Sequence, residues 1–405
     1  MTLDAVYVTY WSLRDPLCQS QSLPVVRDQA RRGRRMGLVT FEAPGWALAP
    51  PEQAEQAAAL AREGIRWLPL RYHKRPRLLA TLYDVGRGVL RCARLVRREG
   101  ARLVHARATV PGAIGYWATR LTGARFLNDA DGPLSDEYAD AGLWRRGSLA
   151  YRLARWSEES CLVAADAVAV LTELRRREVE GRTRHGAAVL PCAVDMDRFR
   201  RDEAAGARLR AELGLAGRVL VYVGKSGGWY LTEPMLDFAK AAEAALGPVS
   251  LLVLTGDPPE RFAVPAAARG LRCVVRRAAP EEVPAFLSAA EAGLSFRSTA
   301  PSQRAASPIK NGEYLACGLP VVTTPGAGDS SEMVERRRVG LVVGALAAPD
   351  YERVATRLAA LLGEPDIRER CRKAAREELG LREVVLPRYA TLYDEFLGPV
   401  EGGRG

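Results

Sequence analysis

The segment SPIKNGEYLACGLPVV, residues 307–322, contains a short helix followed directly by a strand. Pro308 holds the residue before it in an extended conformation, so the helix can begin only after this point and is predicted at 311–317. Gly318 and Pro320 then stop the helix, and a β-branched pair follows. A helix that stops directly before a buried strand is typical of an α/β unit with parallel strands.

Short β-rich runs alternate with longer helical patterns along the rest of the chain in both directions. Strand candidates lie at 5–10, 36–41, 66–70, 103–106, 125–128, 167–171, 187–191, 218–224, 250–256, 271–276, 292–296, 319–324 and 340–344. Helical patterns lie at 52–63, 232–246, 281–290, 351–378 and 386–397. Because strand, helix and strand recur in this order, we predict parallel sheets with right-handed crossovers.

The stretch PCAVDMDRFRRDE at 191–203 interrupts this alternation, because it combines a proline with several charges and shows no hydrophobic period. We place a domain boundary there, and the chain length of 405 residues suits two or three domains. The sequence therefore predicts an α/β protein with two Rossmann-like, doubly wound parallel-sheet domains facing a cleft, at 1–195 and 196–385. Residues 386–405 are expected to form a helix that packs back toward the first domain, followed by a tail.

The protein is strongly basic, with a formal net charge of +11. Much of this charge comes from arginine clusters at 31–35, 94–102 and 175–178, which alternate with apolar residues and glutamate as solvated helix faces do. An anionic partner, such as a nucleotide or a phospholipid surface, is the second interpretation. No RNA-binding aromatic signature, zinc-finger spacing or basic heptad pattern accompanies the clusters, so no nucleic-acid partner is expected.

The cysteines and the apolar runs predict a cytoplasmic protein. The seven cysteines are widely spaced and contain no C-x-x-C pair, which is typical of reduced thiols rather than of a disulfide frame or a zinc site. The N-terminus begins with an acidic, alternating stretch, unlike a signal peptide. The longest apolar run, at 162–171, contains an aspartate and is too short to span a bilayer. Weak peripheral contact with a membrane stays open.

A cation and a carboxylate lie at the start of the helix predicted within 307–322. Lys310 is close to the exposed backbone N–H groups at the positive end of that helix, and together these groups attract phosphate. The carboxylate of Glu313, on the first turn, can accept two hydrogen bonds from a vicinal diol such as that of a ribose. For either residue alone, a Lys–Glu pair that caps the helix is the simpler interpretation, but two further motifs favour a binding site.

The first of these motifs is a glycine-rich loop after a strand, in VGKSGGWYLTEP at 223–234. Gly224 and the later glycines let the backbone approach a phosphate, and Lys225 supplies a positive charge. A Walker P-loop is excluded because it needs glycine where this chain has Val219. The first strand of the chain leads into WSLRDP rather than G-x-G-x-x-G, so a dinucleotide dehydrogenase is not expected.

The second motif is the loop in TPGAGDSSEMV at 324–334. Gly326 and Gly328 make this loop flexible, and both are predicted to bind the donor together with Gly224 and Glu332. Glu332 is either a capping-box carboxylate of the next helix or another acceptor for sugar hydroxyls.

These three segments, in this order and in this domain, resemble the retaining nucleotide-sugar glycosyltransferases of GT-B fold and family 4 type. The resemblance covers most of the chain, and its most specific part is the pattern S-P-x-K-x-x-E-Y-L-A-x-G-x-P-V-V. The linker VLPCAVDMDRF at 189–199 and the strand end ADAVAVLTE at 165–173 are also similar to the family. The resemblance implies a GT-B fold in which the first domain binds the acceptor and the second binds the nucleotide sugar.

Carried over by position, the resemblance implies that Glu313 binds the ribose of the donor. The family's first glutamate would fall eight residues earlier, where this chain has Ala305. Lys225 corresponds to the basic loop residue that binds the pyrophosphate, and Ser307 belongs to the donor-binding motif. His105 corresponds to the histidine or arginine that faces the donor sugar, although a packed histidine is an equally good interpretation.

The resemblance also implies a mechanism in which the sugar–phosphate bond breaks through an oxocarbenium-like state. Lys225, Lys310 and His105 are the predicted catalytic residues, because preorganised positive potential stabilises the leaving diphosphate. Neither a protein nucleophile nor a metal or other cofactor is expected. The leaving phosphate can itself take the proton of the acceptor.

The acceptor-binding residues predicted in the first domain are Trp11, Asp129 and Asp131. Related sequences have an arginine where this chain has Asp131, so the loop DADGPLSDE at 129–137 is acidic within a basic protein. Solvated turn carboxylates are the simpler interpretation. The sharper hypothesis is a small acceptor in natural-product biosynthesis, bearing an amine or a betaine group held by carboxylate and aromatic side chains.

Other functions stay open at this point. One is transfer to a polysaccharide or a lipid-linked saccharide, and another is a nucleotide-sugar epimerase or a phosphorylase. A third is a non-catalytic sugar-nucleotide sensor or membrane scaffold. The expected nucleotide sugar carries UDP, GDP or TDP, and the sequence does not distinguish them.

Overall fold

A computed structural model describes residues 2–400 of the protein, and its chain divides into two units. Unit 1 comprises Met1–Pro191 and Val385–Gly405, and unit 2 comprises Cys192–Val384. The predicted domain boundary falls a few residues inside unit 2. The tail predicted at 401–405 lies outside the described residues.

Unit 1 contains a seven-stranded parallel sheet with strand order β3-β2-β1-β4-β5-β6-β7. Its strands are β1 Ala5–Val8, β2 Met36–Glu42, β3 Ile65–Arg71, β4 Leu103–Arg107, β5 Arg125–Ala130, β6 Ala167–Val170 and β7 Ala187–Val189. Each of them occurs where the hydrophobic pattern predicted a strand. The residues of β1 and β6 are buried throughout, as expected for a parallel sheet with helices on both faces.

Unit 2 contains a six-stranded parallel sheet with strand order β10-β9-β8-β11-β12-β13. Its strands are β8 Arg218–Val223, β9 Val249–Leu254, β10 Arg272–Arg276, β11 Ala292–Ser295, β12 Val321–Thr323 and β13 Gly340–Val342. The predicted α/β class with two doubly wound sheets is therefore confirmed.

The helices follow the strands in alternation. Those of the first segment of unit 1 are α1 Leu23–Arg31, α2 Pro50–Arg62, α3 Arg77–Glu99, α4 Thr109–Thr122, α5 Leu134–Asp140, α6 Leu149–Ala164 and α7 Glu173–Val179. Those of unit 2 are α8 Glu203–Glu212, α9 Thr232–Ala241, α10 Glu243–Leu246, α11 Glu260–Ala268, α12 Val283–Ser288, α13 Ile309–Ala316, α14 Ser330–Arg336, α15 Ala348–Leu362 and α16 Ile367–Ala374. The last helix, α17 Leu386–Leu397, belongs to unit 1.

Two long helical predictions are interrupted in the structure. The pattern at 232–246 forms α9 and α10, which meet at Ala242. The pattern at 351–378 forms α15 and α16, separated by the segment Gly-Glu-Pro-Asp at 363–366. Glycine followed by proline ends α15, because proline lacks the N–H that the helix would need.

The strand order of each sheet reverses at one place. In unit 1 the reversal lies between β1 and β4, and in unit 2 it lies between β8 and β11. Loops that leave the carboxyl ends of two such strands diverge to opposite sides of the sheet, which opens a crevice for ligands. A ligand site is therefore expected at the segments that follow these four strands.

The packing of α13 against the unit 2 sheet fixes one side of this crevice. The ring of Tyr314 on α13 lies over Gly293 of β11, where a Cβ would be 2.3 Å from Cδ2 of the ring. The hydroxyl of Tyr314 accepts a hydrogen bond from the backbone N–H of Val223 at 2.8 Å. Glycine in the strand thus lets a large helix side chain reach the end of β8.

The described residues form no disulfide, and only Cys273 of the seven cysteines is not buried. Within residues 2–400, no helix combines the length and the apolar character needed to cross a bilayer.

Candidate functional site

The loops after β8, β11 and β12 are bonded together at the reversal point of unit 2. The backbone N–H of Leu231 donates to the carbonyl of Phe296 at 3.1 Å, and that of Ser298 donates to the carbonyl of Trp229 at 2.8 Å. Thr324 joins the third loop, because its hydroxyl accepts from the Arg297 N–H at 2.8 Å and donates to the Arg297 carbonyl at 2.6 Å. The carboxyl ends of three strands therefore present one connected surface.

The glycine-rich loop after β8 is held in a conformation that requires glycine. Gly227 and Gly228 have φ of 75° and 64°, in the left-handed region. The backbone N–H and the hydroxyl of Ser226 both donate to Oδ2 of Asp257, at 2.7 and 2.9 Å, which ties the loop to the segment after β9. Lys225 is exposed at the front of this loop and makes no ion pair within residues 2–400.

A pocket of about 290 Å³ lies within unit 2 beside this loop. Its lining comes from the loops already described and from the segment after β13, namely Leu231, Arg297, Ser298, Thr299, Thr324, Pro325, Val343, Gly344 and Leu346. Arg297 is its cation. Nε and Nη2 of Arg297 donate to Oε1 of Gln303 at 2.9 and 2.6 Å, and the guanidinium lies 5.1 Å from the ring centre of Tyr230.

Arg297 is a candidate binding residue that the sequence analysis missed. It comes two residues after the end of β11, at the edge of the sheet where ligands bind. The signal in the sequence is a basic residue directly after a predicted strand of the second sheet. Gln303, which fixes the guanidinium, is itself fully buried.

The N-terminal half of α13 carries the predicted cation and carboxylate side by side, with Glu313 one turn further into the helix than the sequence predicted. Nζ of Lys310 donates to Oε2 of Glu313 at 2.8 Å. Glu313 is buried, whereas the Lys310 side chain is 38% exposed, so the cation remains accessible. The hydroxyl of Ser307, a predicted donor-binding residue, accepts a hydrogen bond from the backbone N–H of Cys192 at 3.1 Å. Ser307 therefore has a bond within unit 2 in this structure.

The loop after β12 places the remaining predicted donor residues differently. Gly326 has φ of 87°, and a Cβ there would lie 3.2 Å from Cα of Thr299, a pocket residue. Gly328 has φ of 51° and donates its N–H to the carbonyl of Gln303 at 2.9 Å. Both glycines thus support the pocket wall by close backbone approach. Glu332 is exposed on the first turn of α14.

In unit 1, the predicted residues His105 and Asp129 belong to a buried polar network. Oδ2 of Asp129 accepts from Nη1 of Arg107 at 2.7 Å and from the hydroxyl of Tyr389 at 2.5 Å. Nδ1 of His105 is 2.9 Å from the hydroxyl of Tyr393, and its Nε2 is 3.5 Å from Asp129. The side chains of His105 and Asp129 have no exposed surface.

This burial contradicts the predicted contact of His105 with the donor sugar and of Asp129 with the acceptor. Burial lowers the pKa of His105, which keeps the imidazole neutral. Burial alone would raise the pKa of Asp129, but the Arg107 guanidinium and its hydrogen bonds lower it to about 2. In this structure the two residues hold β4, β5 and α17 together instead of facing a ligand.

The other two predicted acceptor residues are accessible. Trp11 is half-buried just after β1, and its carbonyl accepts from the Phe41 N–H at 3.4 Å. Asp131 is partly exposed after β5 and makes no ion pair within the described chain. Desolvation raises the pKa of Asp131 to about 6. The positive charge of Arg107 opposes this increase, and the negative charge of Asp129 adds to it.

Ion pairs in the fold balance part of the negative charge of the loop at 129–137. Asp136 pairs with Nη1 of Arg146 at 2.9 Å and with Nη1 of Arg155 at 2.8 Å. Because Arg107 also pairs with Asp129, ion pairs balance two of the four carboxylates in this loop, and Asp131 is not one of them. No group of three or more metal-ligating side chains occurs within residues 2–400.

Comparison with known families gives a match over the second unit. Residues 215–378 match the family described as glycosyl transferases group 1, and this range contains the glycine-rich loop, Arg297, Lys310 and Glu313. No curated protein sequence matches the chain.

Solved structures match over nearly the whole chain at low identity. Sucrose-phosphate synthase from Thermosynechococcus elongatus has a TM-score of 0.70 and 16% identity, covering 97% of this chain and 98% of its own. HepE from Anabaena, solved with UDP and glucose, has a TM-score of 0.70 and 14% identity, covering 96% and 99%. WaaG, a glycosyltransferase involved in lipopolysaccharide biosynthesis, has a TM-score of 0.67 and 16% identity, covering 97% and 100%.

Proposed function

We propose that this glycosyltransferase of GT-B fold, with a group 1 glycosyltransferase domain at 215–378, transfers a sugar from a nucleoside-diphosphate sugar to a small-molecule acceptor. The proposal rests on the surface formed where the strand order of the unit 2 sheet reverses, between β8 and β11. There the loops after β8 and β11 and the first turn of α13 supply Lys225, Arg297 and Lys310.

Each part of a nucleotide sugar has a counterpart on this surface. The diphosphate is suited to the exposed ammonium groups of Lys225 and Lys310 and to the backbone N–H groups of the glycine-rich loop. The ribose diol is suited to Glu313, whose carboxylate is already fixed by Lys310 at 2.8 Å. The pocket of about 290 Å³ beside Arg297 is suited to another part of the donor, the base or the sugar.

A thermal-shift panel with UDP-, GDP- and TDP-sugars tests donor binding. A ligand present at 100 times its Kd should stabilise the unit that binds it by about 2.7 kcal/mol, which is easily measured. A UDP-sugar is the first choice because HepE was solved with UDP and glucose. If none of the three nucleotide classes raises the unfolding temperature, the proposal is wrong.

Charge-matched variants make the same experiment specific. Lys225→Ala should abolish most of the shift, since it removes a phosphate-binding cation. Lys240→Ala is the control, because it removes one positive charge from unit 2 while Nζ of Lys240 bonds Glu243 and the Gly270 carbonyl instead of facing the loops. An equal loss in both variants would mean that the shift reflects net charge alone.

We propose that transfer retains the anomeric configuration and needs no metal ion or other cofactor. The support is electrostatic: Lys225, Lys310 and Arg297 offer fixed positive charge for the leaving diphosphate. Activity should therefore survive dialysis against EDTA, and proton NMR of the first product should show the anomeric configuration of the donor. Loss of activity that a divalent ion restores would contradict the first statement, and an inverted product would contradict the second.

The acceptor proposed is a small molecule with an amine or betaine group, held near Asp131 and Trp11. The support is that Asp131 is accessible and unpaired at the end of β5, with its pKa raised to about 6. An acidic group of this kind is charged above pH 6 and neutral below it. The acceptor KM should therefore rise as the pH falls below about 6, while the donor KM stays constant.

Replacing Asp131 tests this assignment directly. In Asp131→Asn the acceptor KM should be high at all pH values and lose its dependence near pH 6, because no charge remains to titrate. Glu335→Gln, which removes an exposed carboxylate of unit 2 with no predicted role in binding, is the control for a general loss of charge. An unchanged acceptor KM in Asp131→Asn would remove the amine hypothesis without affecting the donor site.

One observation favours a second candidate, transfer to a lipid-linked saccharide. The outer face of α3 exposes Leu79, Leu82, Tyr83 and Leu90, together with Arg91, Arg94 and Arg98. The two acidic residues of α3, Asp84 and Glu99, are both buried. An apolar and basic helix face without exposed acid is suited to the surface of an anionic bilayer, which is where a lipid-linked acceptor would be found.

Vesicle binding separates the two candidates. The second predicts sedimentation with phosphatidylglycerol vesicles that decreases with salt, weak binding to phosphatidylcholine vesicles, and a loss of binding in Leu82→Gln/Leu90→Gln. Val264→Gln, an exposed apolar residue on α11, is the control. Protein that stays in the supernatant with both vesicle types would favour the small-molecule acceptor.

A further inference from the structure

The loop after β3 in unit 1 places a histidine within hydrogen-bond distance of a buried carboxylate. Nδ1 of His73 lies 2.6 Å from Oδ1 of Asp84, which is on α3. Oδ2 of Asp84 accepts from the Tyr10 hydroxyl at 2.8 Å and from the backbone N–H of His73 at 2.9 Å. Asp84 has no exposed surface, whereas the His73 side chain is 31% exposed.

This arrangement determines the tautomer of the imidazole. A carboxylate that already accepts two hydrogen bonds is an acceptor toward Nδ1, so Nδ1 carries the proton. The lone pair of the neutral ring then lies on Nε2, and Nε2 of His73 makes no hydrogen bond to another residue of the described chain. The result is a partly exposed proton acceptor backed by a fixed, buried acid.

His73 and two of the aromatic residues around it follow the carboxyl ends of strands of the unit 1 sheet, as the predicted acceptor residues do. Tyr10 follows β1 directly before Trp11, and Tyr72 follows β3 directly before His73. The rings of Tyr10 and Tyr72 are 5.3 Å apart. The exposed ring of Tyr83, on α3, meets the imidazole edge-on with centres 5.1 Å apart. Aromatic side chains of this kind form good walls for an organic acceptor.

The charged and titratable groups around the imidazole come from three elements. They are Asp84 and Tyr83 on α3, Tyr10 after β1, and Tyr72, Lys74 and Arg75 on the loop itself. Burial raises the pKa of the Tyr10 hydroxyl far above neutrality, so Tyr10 stays a donor to Asp84. Asp84 is the acid in contact with the ring, and its position is fixed by the hydrogen bonds from Tyr10 and from the His73 backbone.

We propose that His73 is a catalytic residue that takes the proton from the attacking hydroxyl of the acceptor, with Asp84 as its positioning residue. This inference rests on the proposed glycosyl transfer. The acceptor O–H bond breaks and its proton goes to Nε2 of His73. The freed oxygen forms a bond to the anomeric carbon on the same face from which the diphosphate leaves, as retention requires, and the diphosphate keeps the electron pair of the bond that breaks. The imidazolium then releases its proton to water.

Two alternatives make different predictions for the pH profile. If the leaving phosphate takes the proton, removal of His73 leaves the pH dependence of kcat unchanged. If the pair only anchors the loop, the bonds of Asp84 to Tyr10 and to the His73 backbone remain after the side chain is removed, and kcat changes little. A base role requires instead an acidic limb in the kcat profile that depends on the imidazole.

The test compares His73→Ala and Asp84→Asn with His185→Ala, a control that removes an exposed histidine from another loop of unit 1. In His73→Ala, kcat should fall by about 10²–10⁴-fold and its acidic limb should disappear, while added imidazole restores part of the rate. Asp84→Asn should lower kcat without raising the donor KM. His185→Ala should match the unaltered protein.

Donor binding, measured by thermal shift on the same proteins, separates this inference from the proposed function. Donor binding that persists while His73→Ala keeps its kcat and acidic limb overturns the base role alone. Absence of donor binding in the unaltered protein overturns both. Circular dichroism confirms that each variant is folded, and if His73→Ala is not folded, His73→Gln, which keeps a polar side chain of similar length, gives the same comparison.

Discussion

Two pairs of opposite charges in this protein have the same chemistry but different surroundings. Lys310 and Glu313 lie 2.8 Å apart with the lysine accessible to solvent, whereas Arg107 and Asp129 lie 2.7 Å apart and are both buried. A ligand can reach and rearrange the first pair, but the second pair can only stabilise the fold. Burial therefore decides which pair is available for binding.

Removing either member of the accessible pair should impair transfer. We expect Lys310→Ala or Glu313→Ala to lower turnover by about 10²-fold or more, because each removes a group proposed to hold the donor, Lys310 at the diphosphate and Glu313 at the ribose. Steady-state kinetics with saturating acceptor measures this effect. Glu335→Ala, an exposed glutamate on α14, is the control, and near-normal turnover in both variants at 310 and 313 would contradict the site assignment.

Removing one member of the buried pair should impair folding. Asp129→Ala leaves the Arg107 charge buried without its partner, and we expect unit 1 to lose about 3–5 kcal/mol of stability. The double variant Arg107→Met/Asp129→Leu should lose less, because no unpaired charge remains. Urea denaturation followed by circular dichroism measures both. A single variant as stable as the unaltered protein would show that the pair contributes nothing.

The pH dependence of this pair has a definite sign. The folded pKa of Asp129, about 2, lies below the value of about 3.9 for an unfolded aspartate. The stabilisation is therefore complete above about pH 4 and is lost as the pH falls from about 4 to 2. Asp131 behaves oppositely, because its pKa is raised and the folded state gains stability as the pH falls from about 6 to 4.

At the scale of elements, α13 is the helix that the sequence described best. The predicted range 311–317 and the observed Ile309–Ala316 differ by two residues at the start, and the stop at Cys317 and Gly318 is confirmed. What the sequence did not show is how the helix docks. Tyr314 reaches over Gly293 to the N–H of Val223, so one hydroxyl joins the helix to the start of the glycine-rich loop.

Removal of that hydroxyl should affect both stability and donor binding. Tyr314→Phe leaves the Val223 N–H without its acceptor, which we expect to cost about 1–3 kcal/mol. The donor affinity should fall as well, because the loop that begins at Gly224 loses its anchor. Thermal shift with and without a nucleotide sugar measures both effects. Tyr351→Phe, a buried tyrosine on α15, is the control.

If Tyr314→Phe loses stability but binds the donor as well as the control does, the hydroxyl supports the fold and does not position the loop. That outcome would mean that the glycine-rich loop is held in place by its own hydrogen bonds, such as those from Ser226 to Asp257.

At the scale of the whole molecule, the chain leaves unit 1 after residue 191 and returns to it at residue 385. The returning helix α17 contributes Tyr389 and Tyr393 to the network around Asp129 and His105. Asp394 on the same helix pairs with Arg34 at 2.5 Å, and Arg34 is buried. Unit 1 therefore includes a helix that is synthesised only after the whole of unit 2.

Truncation tests this dependence. A chain that ends at residue 384 lacks α17 and exposes the apolar surface under Tyr389 and Tyr393. It also leaves the buried Arg34 without Asp394 and removes the Tyr389 hydroxyl from the pair of Arg107 and Asp129. We expect unit 1 to be cleaved rapidly by trypsin in this variant, whereas unit 2, complete within 192–384, should resist. A chain that ends at residue 400 is the control. Equal resistance of unit 1 in both chains would show that α17 is dispensable.

The sequence by itself determined the strands, their parallel arrangement and the motif of α13, because these depend on residues that are neighbours in the chain. It also predicted that Lys225 follows a strand, now β8, and that Lys310 and Glu313 lie at the helix before β12. It could not show that His105 and Asp129 are buried, since Tyr393 and Tyr389 cover them from 288 and 260 residues away. The pairing of His73 with Asp84 was hidden for a related reason: the aspartate is on a helix face whose orientation only packing decides. Local patterns encode secondary structure, whereas burial depends on contacts between distant segments, and those are formed only in the tertiary structure.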